Sequence, residues 1–99
     1  MERKKEKFSR YNVADYLKSQ EDRAEYLDAC MEEAGDDATY IAAALGNVAR
    51  ARGMAQLAKD TGISREGLHR ALSSDGHPSL ATVLKVVKAL GLKLITKVA

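Results

Sequence analysis

The segment MAQLAKDTGISREGLHRALS, residues 54–73, decides how the chain is read. It holds two short apolar-periodic runs separated by a turn. In the first, Met54, Leu57 and Ala58 share one face of about two helical turns, Met54 to Asp60. Thr61-Gly62-Ile63 then has the composition of a tight turn. Ser64 is placed to cap a second helix reaching about Ser73, with Leu68, Ala71 and Leu72 turned inward. A short helix, a glycine-containing turn and a capped short helix are the physical requirements of a helix-turn-helix. Two helices crossing at about 90–120° approach closely at the turn. The first therefore needs a small residue there, Ala58, and the turn needs a left-handed position, Gly62. Ile63 and Leu68 supply the apolar contacts that lock the angle.

Helical patterns flank this unit on both sides. Upstream, Asn12 can cap a short helix through Leu17. Ser19 opens a capping-box-like start with Asp22 in the N3 role. The helix that follows, Gln20 to Ala34, places Ala24, Leu27, Met31 and Ala34 on one apolar face with Cys30 alongside, and Gly35 ends it. Asp37 caps a helix from Ala38 to Arg52 that is buried through Ile41, Ala44, Leu45, Val48 and Ala49. Downstream, residues 73–78 carry every turn signal. Ser79 caps a last helix to Leu90 with Leu80, Val83, Leu84, Val87 and Leu90 inward. The segment Leu92 to Val98 alternates imperfectly, is rich in β-branched residues, and is expected to be a strand. The expected architecture is mainly all-α: about five helices around the helix-turn-helix, a short extra N-terminal helix and a C-terminal β-strand.

Ninety-nine residues fit one domain, so residues 9–99 are expected to fold together behind a disordered basic arm, residues 1–8. No apolar run approaches the roughly 20 residues of a membrane span. Met1 to Arg10 is basic but lacks the apolar stretch of a signal peptide, and the single cysteine rules out an internal disulfide framework. Together these point to a cytoplasmic protein without a membrane partner.

The net charge of +2 conceals blocks. Residues 1–10 carry five basic against two acidic side chains, +3. Residues 11–37 carry two against nine, −7, and residues 38–99 carry nine against three, +6. Basic surface attracts polyanions, and acidic surface attracts basic proteins.

Helical phase shows what the helix after Ser64 would present. With Leu68 and Leu72 inward, Glu66, Arg70 and Ser73 point away from the core, Arg65 and His69 lie on one flank, and Ser74 is near the end. Arginine suits guanine or phosphate, and serine suits either. The candidate DNA-binding residues are therefore Ser64, Arg65, Glu66, His69, Arg70, Ser73 and Ser74. Glu66 fits beside phosphate only if it pairs with Arg70 four residues on or accepts from cytosine. An ordinary solvated helix face would use the same residue types.

Other chemistry finds little support. Cys30 sits on the apolar stripe of its helix, whereas reactive thiols need an electropositive, partly exposed site. No His/Cys spacing resembles a zinc site, and there is no glycine-rich phosphate loop. Asp36 and Asp37 are explained by capping. No catalytic residue, metal site or cofactor is expected, and the chain reads as a non-enzyme.

Several blocks in order carry a resemblance: GNVARARGM (46–54), TGISREGL (61–68), RALS (70–73), GHPSL (76–80) and VVKALGLKL (86–94). Over about Tyr11 to Val98 the sequence resembles the addiction-module antidote proteins, small Xre-type helix-turn-helix antitoxins similar to HigA proteins. His69 stands where that family often has an aromatic residue. The resemblance implies a lambda-repressor-like bundle that binds double-stranded operator DNA, acts as a homodimer, and represses an operon shared with a toxin of the RelE/ParE superfamily. Such toxins, where they cleave RNA, are typically basic, which makes the acidic block with Glu25, Asp28 and Glu32 the expected toxin-facing surface. A stand-alone repressor without a toxin partner, and a protein-only neutraliser that no longer binds DNA, are the alternatives.

Overall fold

In a computed structural model of the protein, residues 16–99 are described. Five helices follow one another: α1 (Gln20–Ala34), α2 (Ala38–Arg52), α3 (Met54–Thr61), α4 (Arg65–Ala71) and α5 (Leu80–Ala89). The helix expected from Asn12 lies largely outside the described residues. Tyr16 is helical, and Leu17 has already left the helix and is buried.

Local chemistry sets the helix starts. The Ser19 hydroxyl accepts from the Asp22 N–H at 3.0 Å while the Asp22 carboxylate accepts from the Ser19 N–H at 3.3 Å, a complete capping box. The Asp37 carboxylate accepts from the backbone N–H groups of Thr39 and Tyr40 at 3.2 Å each, and the Thr39 hydroxyl donates to it at 2.8 Å. Thr39 first, then the Tyr40 backbone, holds this exposed carboxyl below its ordinary range. Ser64 and Ser79 cap α4 and α5 by accepting from Gly67 and Thr82. Each such cap contributes about 1 kcal/mol.

Packing is organised around α3, which touches α2, α4 and α5, while α1 lies along α2. Leu17, Val48, Leu57, Leu68, Leu72, Val86 and Leu90 are the largest fully buried side chains.

The structure departs from the sequence pattern at four places. First, Leu92 to Val98 forms no strand within the described chain. A strand needs a neighbour for its N–H and C=O groups, and the segment finds none there. Second, α1 buries Tyr26 and Cys30, whereas Ala24 and Met31 are exposed. The helix is rotated so that the Tyr26 ring enters the core, where its hydroxyl accepts from Asn47 Nδ2 of α2 at 2.8 Å. Third, α5 turns Val86, Val87 and Leu90 inward and leaves Leu80 and Leu84 exposed. The six large apolar residues from Leu80 to Leu90 cannot all face one neighbour, and the core takes Val86, Val87 and Leu90, with Val83 partly buried against it. α4 also stops two residues before the expected Ser73.

Candidate nucleic-acid interface

The joint between α3 and α4 is built from side chains with single tasks. Gly62 sits at φ 76°, ψ 11°, left-handed, and its N–H donates to the Ala58 carbonyl at 2.9 Å. Residues with a Cβ adopt this conformation at a cost. The Thr61 hydroxyl donates to the Leu57 carbonyl at 2.8 Å and accepts from the Ile63 N–H at 3.2 Å, so it closes α3 and starts the turn. Beyond the turn, Leu68 and Leu72 are fully buried and hold α4 by one face. The far end of α4 is held by close backbone approach. A Cβ on Gly46 of α2 would overlap the Leu72 carbonyl, and one on Gly76 would overlap the Ala71 carbonyl.

Anchored in this way, α4 turns a polar face to water. Ser64, Arg65, Glu66, His69, Arg70 and Ser74 are exposed, which brings six of the seven residues expected at a DNA surface onto one helix and its flanks. Ser73 is the exception: it is half-buried, and its hydroxyl donates to the Arg70 carbonyl at 3.0 Å. Ser64 is exposed, but its oxygen is already engaged as the cap of α4. Among the described residues Glu66 makes no ion pair with Arg70, so Arg70 is available to a ligand while a place for the Glu66 carboxylate at DNA rests on accepting from cytosine.

A polar cluster beside the turn was missed from the sequence. The Asp60 carboxylate accepts from Gln56 Nε2 at 3.0 Å and pairs with the Arg52 guanidinium at 3.9 Å. The four-residue spacing of Gln56 and Asp60 on α3 was its legible signal. It ties the end of α2 to the exposed side of α3. The exposed Arg50 donates to Asn47 Oδ1 at 2.9 Å, continuing the chain that begins at Tyr26.

The acidic candidates lie on a different helix. Glu25, Asp28 and Glu32 are exposed along α1, with the 42% exposed Met31 beside them. On its inner side, burial pushes the Tyr26 phenol up to about 12, against the opposing bond from Asn47. Burial likewise raises the Cys30 thiol, which lies against the Tyr26 hydroxyl, and a thiol so held is a poor nucleophile. Among the described residues no cluster of three His, Cys, Asp or Glu could hold a metal ion, and no helix is long and apolar enough to cross a membrane.

Comparison with known proteins places the chain. It is 49% identical over 88 residues to an uncharacterised protein of Haemophilus influenzae, covering 89% of each chain. No solved structure matches it. The family model of the probable addiction module antidote proteins matches residues 7–98, and the chain belongs to that family, whose members act against a toxin partner.

Proposed function

We propose that this antidote is a DNA-binding antitoxin, HigA-like and Xre-type, that neutralises a RelE/ParE-superfamily toxin and represses its own operon. In this reading α3, the turn at Gly62 and α4 form the helix-turn-helix of a lambda-repressor-like bundle. The single observation that carries it is the polar face of α4, projected from a helix whose opposite face is fixed by Leu68 and Leu72. Arg65 and Arg70 are the groups suited to guanine edges or phosphates, and Ser74 and His69 suit either. The protein acts in the cytoplasm as a dimer that presents two copies of α4 to two half-sites of operator DNA.

Gel shift on the promoter of its own operon tests the DNA half of the reading. Arg70→Ala should weaken binding by about 1–3 kcal/mol, and the wild-type affinity should fall steeply with salt. Unchanged binding by the variant removes α4 as the reading helix. No binding by the wild type leaves the protein-only neutraliser.

The toxin half assigns the exposed carboxylates Glu25, Asp28 and Glu32 to a basic toxin. Reversing all three to lysine should weaken the complex with the toxin encoded beside the antidote, most strongly at low salt, and leave operator binding intact. A complex that survives the triple reversal excludes this face. Absence of any complex with that toxin favours the stand-alone repressor.

A further inference from the structure

We propose that the residues after Leu92 join two copies of this chain tail to tail, antiparallel, with Thr96 on the two-fold axis. This deepens the dimer and rests on the operator-binding reading only for its purpose, since the pairing itself needs no DNA.

The tail leaves the core from a fixed point. Gly91 is seated against the Gln20 side chain at the start of α1, and the half-buried Leu92 donates its N–H to the Val87 carbonyl at 3.1 Å. From Lys93 onward no hydrogen bond to another described residue holds the chain. Leu94 is 46% exposed, Ile95 76% and Val98 99%. Three large exposed apolar side chains and a run of backbone groups without a partner among the described residues, in so short a segment, are a template for another chain.

The sequence of the tail says which chain. In an extended conformation Leu94, Thr96 and Val98 point to one side, and Lys93, Ile95 and Lys97 to the other. Antiparallel pairing centred on Thr96 sets Leu94 opposite Val98 of the second copy, Thr96 opposite Thr96, Ile95 opposite Lys97 and Lys93 opposite Ala99. One face of the ribbon is then free of charge. The other carries the lysines, none directly opposite another. Centring on Ile95 places Lys93 opposite Lys97 twice, and centring on Lys97 places it opposite itself, both unfavourable. Registers centred between residues mix lysines and apolar groups on both faces. Centring on Leu94 also keeps the lysines apart but leaves only residues 93–95 of each copy to pair, because Leu92 is tied back to Val87, so the longest self-complementary register is the one centred on Thr96. A two-stranded ribbon alone is marginal in water. Leu80 and Leu84 are likewise exposed on the helix that carries the tail, so the protomer has further apolar surface that a second copy can cover.

Cysteine at Thr96 reports the register directly. The native Cys30 is buried, so an added thiol is the accessible one. Under mild oxidation Thr96→Cys should run as a covalent dimer. Ile95→Cys, displaced from its own copy by about 7–8 Å along the ribbon, should link about tenfold more slowly. Light scattering should find the wild type dimeric without DNA, and Leu94→Asp with Val98→Asp monomeric with unchanged helical circular dichroism. Because four lysines gather on one face, added salt should tighten this pairing, opposite to its effect on operator binding. Equal cross-linking at residues 95 and 96, or a double-Asp variant that remains dimeric, overturns the proposal. So does a wild-type tail that stays monomeric alone and pairs only with the toxin. Loss of operator binding in a protein whose Thr96→Cys variant still cross-links would count against the DNA reading alone.

Discussion

Leu68→Ala is expected to lower the stability of this protein by about 2–5 kcal/mol, the range for truncating a fully buried leucine. Leu68 is 0% exposed and lies in the cluster with Leu57, Leu72 and Val48. Its N–H donates to the Ser64 carbonyl at 2.9 Å, and its carbonyl accepts from the Leu72 N–H at 2.9 Å, so it sits at the middle of a helix of seven residues. A helix that short has little stability of its own and depends on the face it buries. Deleting the three carbons beyond Cβ, one methine and two methyls, removes both the transfer energy and the contacts across the cavity left behind. Domains of this size hold roughly 5–15 kcal/mol in total, and each kcal/mol shifts Tm by about 4–8 °C. A thermal melt should therefore drop by roughly 10 °C or more. The neighbouring His69→Ala, which is exposed, should stay within about 0.5 kcal/mol of wild type and serves as the control. Equal melting of the two variants would mean that α4 is not held by Leu68. If α4 reads operator DNA as proposed, operator binding by Leu68→Ala, measured below its Tm, should fall with the population of ordered α4.

The contrast between Leu68 and its neighbours marks what sequence reading reached. The caps at Ser19, Asp37, Ser64 and Ser79 were legible because each is a bond between a side chain and a backbone group two or three residues away. Gly62 was legible for the same reason: its left-handed φ is a local property of the turn. The exposed face of α4 followed from the phase of Leu68 and Leu72. Where the outcome depended on a distant partner, the pattern misled. Tyr26 enters the core because Asn47, far along the chain on α2, offers its hydroxyl a donor, and this rotates Met31 and Ala24 outward. In α5 the apolar residues are too many for one face, so periodicity placed Val87 and Leu90 inward but could not choose Val86 over Leu80 and Leu84. Leu92 to Val98 has the composition of a strand, but composition cannot supply the neighbour that a strand requires. Ser73 belonged to the exposed face by phase, yet α4 ends before it, and its hydroxyl turns back to the Arg70 carbonyl.

Gly46→Ala tests the most consequential of these distant contacts. In the middle of α2 the change would ordinarily stabilise, since alanine gains about 1 kcal/mol over glycine in a helix interior. Here the opposite sign is expected. The new methyl would overlap the backbone carbonyl of Leu72, the residue that ends α4, and would also crowd the Arg50 guanidinium at 3.3 Å. The arginine can swing aside because it is exposed. The carbonyl cannot, because Leu72 is fully buried and its N–H is bonded to Leu68. Overpacking of this kind costs about 1–3 kcal/mol and occasionally more, and a rigid backbone obstacle belongs at the upper end. The net result should be a loss of about 2 kcal/mol, read as a lower midpoint in a urea titration with an unchanged slope. The relief route is as informative as the loss. If α2 and the end of α4 separate to admit the methyl, α4 tilts about its anchored face, and in the proposed operator complex Arg65 and Arg70 shift together away from their DNA contacts. Operator affinity should then fall by more than the unfolded fraction accounts for, a signature that simple destabilisation such as that of Leu68→Ala lacks. A Gly46→Ala protein more stable than wild type would show that α2 and α4 do not meet at this point, and the positioning of the polar face would need another cause.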